Sequence, residues 1–498
     1  HLPDPNRLRA AKKTMPEHRQ NKVVYAETFG EPSTGQTGKD YPAMRNRFLA
    51  IATVAAVATT SVLAPSAASQ VQPENPVVGK DAFQYKFDLP NREPHDVVLQ
   101  VGETQDSVRL NWVTTFGITG QSVRIYEAGT DASTAKEVAA TSADAEVNLT
   151  EGPLDEPDLQ QFFAPIAHHK ATVTGLKENT KYVYTVGSKA DGWSKEYAFT
   201  TGSYGDSWNF LFFGDPKLYN TQDLDGKTDA WANSVNQATT KYPKSAFLLS
   251  AGNQSGHSAY IEHSKFLSPE QMRKYRLAVN NGSNDNIHKP TYNAMYNHPT
   301  QGDENYWFAY NNALIVSLDS NDVQDIEDDA VFVRNTIAQQ AKGKDWVIVT
   351  FHHRQEDQQF TQWRERMTQV FAEADVDLVL SGSGDAYSRT KVPEGNKAGG
   401  VEKQEGEVQY VTVGPTPDWT SVEVSPESLK VSTSDGQGGN VDSFTLTRAV
   451  EGTQPSGSSK AGIAFGILAG LLALIGGGLL FASQSGLLPK ELKDLFPF

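Results

Sequence analysis

The stretch "DLVLSGSGDAYSRT", residues 377–390, decides the fold. An apolar run, Leu378-Val379-Leu380, stops in Gly382-Ser383-Gly384-Asp385 and is followed by Tyr387 and Arg389. A short, unbroken apolar run bounded by glycine reads as a strand buried on both faces. A strand that opens into a small polar loop sets that loop at the edge of a sheet.

Four further segments have the same form. They are "WNFLFFGD" (208–215), "SAFLLSAGN" (245–253), "RLAVNNGSND" (276–285) and "DWVIVTFHH" (345–353). A helical stretch over 229–242 separates the first two. Strands covered on both faces and separated by helices predict an α/β domain over 205–447. Its five strand ends, each releasing Asp, Asn, Ser or His, converge where α/β sheets hold their ligands.

Upstream, residues 90–202 read as all-β. "SVRLNWVTT" sets Val108, Leu110 and Trp112 against Arg109 and Asn111, and "KYVYTVG" alternates Tyr182, Tyr184 and Val186. Period-2 patterning predicts half-buried strands. Leu176 and Tyr182, separated by Asn179-Thr180, have the spacing of a tyrosine corner in a β-sandwich. Residues 171–187 resemble a fibronectin type III strand and turn. His168 and His169 read as loop residues, and Asn148-Leu149-Thr150 fits a glycosylation acceptor.

The chain has 498 residues, so two or more domains are expected. A net charge of -16 argues against a nucleic-acid partner. The sequence contains no cysteine, which excludes disulfides, thiolate metal sites and cysteine nucleophiles.

Both ends carry apolar segments. Met44, Arg45 and Arg47 precede an uncharged run from Phe48 to Leu63 and then small residues to Ser69, the order of a secretory signal peptide over 44–69. Residues 1–43 are expected to be a disordered leader or to lie outside the translated protein, and 70–89 a linker. Ala461 to Ala482 carries no charge and is long enough to span a bilayer as a single C-terminal transmembrane helix. A flexible stalk over 448–460 precedes it, and a cytoplasmic tail over 483–498 follows. An exported protein with its body outside the plasma membrane is the expectation, the membrane and an envelope or membrane protein being its partners.

The five loops resemble the sequence blocks of calcineurin-like metallophosphoesterases, and of the purple acid phosphatases in particular, which also carry a fibronectin-like domain ahead of the catalytic one. The resemblance implies an all-β sandwich followed by a four-layer α-β-β-α domain, and a phosphoric-ester hydrolase using two metal ions. "YWFAYNNALIVSLDSN" (306–321) and Tyr387-x-Arg389 extend the likeness.

Set against the family's blocks, the chain departs at most metal positions. Asp215 is retained. Asn253 stands for the bridging aspartate and Gly256 for a tyrosine. Ser283 stands for a metal-binding asparagine, and Asn284 for the catalytic histidine. His352 is retained, while Ser383 and Asp385 replace two histidines. Two divalent ions at about 3.7 Å repel by roughly 18 kcal/mol at an effective dielectric near 20. A bridging carboxylate offsets much of that, and neutral Asn253 does not. A dinuclear Fe, Zn or Mn centre is therefore not expected.

Asp215, Asn253, His352 and Asp385 remain as candidate metal ligands. Their oxygen-rich set suits no metal or one hard cation such as Mg²⁺ or Ca²⁺. His257, His263, His288 and His298 read as loop residues, most of them at the surface. Three functions follow: a catalytically impaired phosphatase-like binding module, an active phosphoesterase using a single hard cation, or a structural partner of membrane proteins acting through its helix and tail.

Overall fold

Period-2 alternation builds the first module. The computed structural model describes residues 89–299, 305–322, 326–354, 361–392, 401–402 and 406–447. The expected leader, signal peptide, stalk, membrane span and tail lie outside these residues. Among the described residues no helix is long and apolar enough to cross a membrane.

The module opens with β1 (His95–Val101), β2 (Val108–Thr115), β3 (Ser122–Glu127), β4 (Lys136–Ala139) and β5 (Thr141–Asn148). It continues with β6 (Phe163–Val173), β7 (Lys181–Ser188), β8 (Gly192–Trp193) and β9 (Tyr197–Thr200). Trp112, Val123, Tyr184 and Phe199 fill the core between its two sheets. The tyrosine corner forms: the Lys177 N–H donates to the Tyr182 hydroxyl at 2.9 Å, and Asn179 turns the chain at φ 49°.

The other face of β2 is buried too, against the half-buried expectation. Asn111 is fully buried, and its Nδ2 donates to the carbonyls of Ala294 and Met295 at 3.0 Å each. The second module supplies the partners a polar strand residue needs in order to be buried.

His168 and His169 lie on β6 rather than in a loop. His169 is buried with Thr114 Oγ1 and Ser142 Oγ at 2.9 and 2.8 Å, hydroxyls offered by the two flanking strands. Asn148 is not an accessible glycosylation acceptor. It is fully buried, and its amide donates to the His257 carbonyl.

The second module contains β10 (Trp208–Phe213), β11 (Phe247–Ser250), β12 (Arg276–Val279), β13 (Tyr306–Tyr310), β14 (Ala313–Ser317) and β15 (Trp346–Phe351). It ends with β16 (Leu378–Ser381), β17 (Ser388–Val392), β18 (Val401–Glu402), β19 (Val408–Thr412), β20 (Trp419–Val424), β21 (Ser428–Ser434) and β22 (Asn440–Thr447). Its helices are α1 (Leu224–Lys241), α2 (Tyr260–Leu267), α3 (Lys289–Met295), α4 (Ile326–Gln340) and α5 (Thr361–Glu373).

One sheet runs β18-β22-β21-β20-β10-β11-β12 and continues through β1 into β2-β6-β5 of the first module. The other runs β13-β14-β15-β16-β19-β17. Phe210, Phe247, Leu249, Ile348 and Leu380 pack between the two sheets. Helices α1, α2 and α3 cover the outer face of the first through Trp231, Phe266 and Tyr292, and α4 and α5 cover the second through Val333, Trp363 and Phe371. That order gives four layers, and it leaves the ends of β10, β11, β12, β15 and β16 meeting at one edge.

Removing the corner hydroxyl isolates its contribution. Tyr182→Phe leaves the Lys177 N–H without its partner and is expected to lower unfolding stability by about 1–2 kcal/mol. Chemical denaturation checks this, with an unchanged slope and a shifted midpoint as the expected form.

Candidate functional site

Strand β10 delivers Asp215, β11 delivers Asn253, and β15 delivers His352. All three are essentially buried and meet at the sheet edge, as the sequence spacing suggests. Gly252, at φ 107°, allows the close approach: a Cβ there would lie 2.9 Å from the His352 ring and from the Gly282 backbone.

The Asp215 carboxylate is surrounded by donors. Its Oδ1 accepts the Ser383 N–H at 2.9 Å. Its Oδ2 has the Lys217 ammonium at 3.1 Å and the Asn253 Nδ2 at 3.4 Å. The Asn253 oxygen faces away and accepts the Asn284 N–H at 2.8 Å, which fixes the amide's orientation. His352 Nδ1 lies 3.5 Å from Asp215 and 3.0 Å from the Ala251 carbonyl, to which it donates. Burial lowers the His352 pKa, against the opposing pull of Asp215, so the ring is neutral. Its Nε2 is buried with no hydrogen-bond partner.

Asp385 stands apart from this cluster. Its side chain is 98% exposed and pairs with Arg354 at 3.3 Å. Two residues earlier, Ser383 adopts a left-handed conformation, φ 59°, with its N–H on Asp215. Ser283 is exposed, and Asn284 is half-buried with its Nδ2 donating to the Tyr219 hydroxyl at 3.2 Å. At Gly256 the space of a side chain is taken by Tyr219, whose ring would be 2.1 Å from a Cβ.

Two buried carboxylates hold the loops together. Asp285 Oδ1 accepts from the Ser255 N–H and hydroxyl, and Oδ2 from the Gln254 and Gly282 N–H groups, all within 3.0–3.2 Å. Burial pushes the Asp285 carboxyl up to about 7, opposed by those hydrogen bonds. Glu262, on α2, accepts from the backbone N–H groups of Asn220, Gly256, His257 and Ala259.

Sequence reasoning missed Lys217, Tyr219 and the structural roles of Asp285 and Glu262. The signal for Lys217 was present in "GDPK", which sets a cation two residues after the retained aspartate.

None of the four histidines read as loop residues is exposed: two are buried and two half-buried. His263 lies on α2 and is fully buried, with Nδ1 3.0 Å from the Tyr296 hydroxyl. His298 stacks on Tyr306 with ring centroids 4.7 Å apart. His257 is buried between Asn220 and Glu262, and half-buried His288 reaches the Thr291 hydroxyl.

A dinuclear centre does not fit these residues. A cation is held by acceptors, whereas Asp215 is ringed by N–H groups and an ammonium. Among the described residues no three His, Cys, Asp or Glu side chains come together as a metal site.

Residues 94–201 match the family model described as "Purple acid Phosphatase, N-terminal domain". Among solved structures, the purple acid phosphatase PPD1 from yellow lupin (Lupinus luteus) seeds superposes with a TM-score of 0.60 at 14% identity, covering 74% of this chain and 77% of that one. The fold is thus purple acid phosphatase-like and carries that family's N-terminal domain. Astrotactin-2, a vertebrate-specific perforin-like membrane protein, matches with a TM-score of 0.15 at 16% identity, over 31% of this chain and 26% of that one. No curated protein sequence matches the chain.

The buried imidazoles make stability depend on pH. Burial pulls His263 and His298 down to about 3 and His353 down to about 2, from an ordinary 6.5. His168 and His169 fall to about 4, also through burial. The unfolded chain therefore binds more protons below pH 6.5, and stability falls as pH drops from there towards the folded values. Asp285, raised above its ordinary 3.8, acts in the opposite sense and gains stability as pH falls below 7. Several imidazoles outweigh one carboxyl, so the denaturation midpoint is expected to fall between pH 6.5 and 4. His263→Gln should flatten that slope by up to about 1.4 kcal/mol per pH unit; an unchanged slope would contradict the assignment.

Proposed function

We propose that this chain is an exported, membrane-anchored protein whose purple acid phosphatase-like domain is catalytically impaired and serves as a binding or assembly module of the cell envelope. The observation that carries the reading is the environment of Asp215. The one carboxylate at the strand ends that keeps a family ligand position in the cluster is engaged by Lys217, Asn253 and the Ser383 N–H. Removal of first-coordination ligands weakens a metal site by more than the 10–100-fold that outer partners typically command. The signal-like segment at 44–69 and the apolar segment at 461–482 support export and tethering.

One observation favours a second reading, an active phosphoesterase using a single hard cation. The buried Nε2 of His352 is an acceptor without a partner, close in the fold to Asp215. Such an enzyme would depend on Mg²⁺, Mn²⁺ or Ca²⁺ and would lose activity in Asp215→Ala.

Elemental analysis of the full chain purified in mild detergent, with turnover of a generic phosphomonoester, separates the two. The impaired module contains no stoichiometric metal and gives no turnover. Robust hydrolysis with two metals bound per chain would overturn it, and cation-dependent hydrolysis lost in Asp215→Ala would establish the second reading.

A further inference from the structure

We infer that Lys217 is the resident cation of this site: its ammonium takes the place at Asp215 that a metal ion would need, and it keeps divalent ions out. The inference rests on the impaired-centre reading and adds to it the residue responsible.

The Lys217 ammonium lies 3.1 Å from the Oδ2 of a carboxylate that is 1% exposed, so the pair joins a half-exposed cation to a buried anion. The backbone is built to hold it there. The Lys217 N–H donates to the Asn253 carbonyl at 2.8 Å, Leu218 forms a parallel bridge with Ser255, and the Gly256 N–H returns to the Leu218 carbonyl at 2.9 Å. The first loop is thereby clamped along the second.

Backbone conformation points the same way. The three residues that donate to Asp215, namely Lys217, Asn253 and Ser383, all sit at positive φ, 46°, 52° and 59°. Non-glycine residues occupy that region at a cost, and such residues persist where the surrounding structure holds them in place. Here all three converge on one carboxylate.

Chemistry then decides what the site accepts. A divalent ion at Asp215 would sit against an ammonium and against the NH₂ end of Asn253. Restoring the bridging carboxylate alone does not remove that conflict, because a new aspartate would pair with the same lysine. Removing the lysine as well leaves two carboxylates and the free imidazole nitrogen of His352.

Calorimetric titration of Mn²⁺ into the full chain, compared between Asn253→Asp and Lys217→Met/Asn253→Asp, tests the inference. The double variant should bind tighter by about tenfold or more, and Lys217→Arg/Asn253→Asp should behave like Asn253→Asp. Equal affinity in the first two, whether both bind or neither does, overturns it.

Thermal melting gives a readout independent of metal. Lys217→Met leaves Asp215 buried without a counter-ion and should melt lower than the parent, and Asp215→Asn/Lys217→Met should recover most of the loss. No loss in the first, or no recovery in the second, also overturns the inference. Failure of the impaired-centre reading would look different: the unaltered parent would then load two metals and hydrolyse phosphomonoester.

Discussion

A carboxylate buried at the edge of a sheet must be neutralised, because an unpaired charge taken out of water costs several kcal/mol. Asp215 is such a group, and the fold around it is arranged to meet that demand. Three loops reach it, from the ends of β10, β11 and β16, and each supplies a donor. A metal ion would meet the same demand by a different route, through acceptors shared with neighbouring loops. The two solutions exclude each other at one position, and the donors around Asp215 are those of the first.

The loops do not depend on a metal for their shape. Asp285 binds the second and third loops together through four donors, and Glu262 does the same for 256–259 and Asn220. Tyr219 fills the space beside Gly256 and accepts from Asn284. Each of these contacts is made within the chain itself. The sheet shared between β12 and β1, and the burial of Asn111 against α3, tie the sandwich to the same scaffold. These contacts hold the loops in place through the protein's own side chains.

Much of this was legible in the residues. Continuous apolar runs such as "WNFLFF" and "WVIVTF" became strands because only a doubly covered sheet can bury them. Their polar ends met at one edge because parallel strands of facing sheets terminate together. Tyr182 found its corner because the turn at Asn179 fixes the reach of the ring.

What sequence spacing could not show was direction and distant partnership. Asp385 is two residues from Ser383, whose N–H meets Asp215, yet its own side chain is exposed and pairs with Arg354. Lys217 follows Asp215 closely, but its meaning depends on where the loop folds back. His169 and His263 read as loop residues and Asn148 as a glycosylation acceptor because their partners, Ser142, Tyr296 and the His257 carbonyl, come from other segments. A polar side chain is buried when something remote satisfies it, and no local pattern announces that.

The direct measurement is anomalous diffraction at the manganese edge from crystals of the unaltered protein grown with Mn²⁺. No anomalous peak is expected among Asp215, Asn253 and His352, with the Lys217 ammonium resolved beside the Asp215 carboxylate. Two peaks about 3.5–4 Å apart at that position, the separation of a working metal pair, with Lys217 turned away, would contradict it.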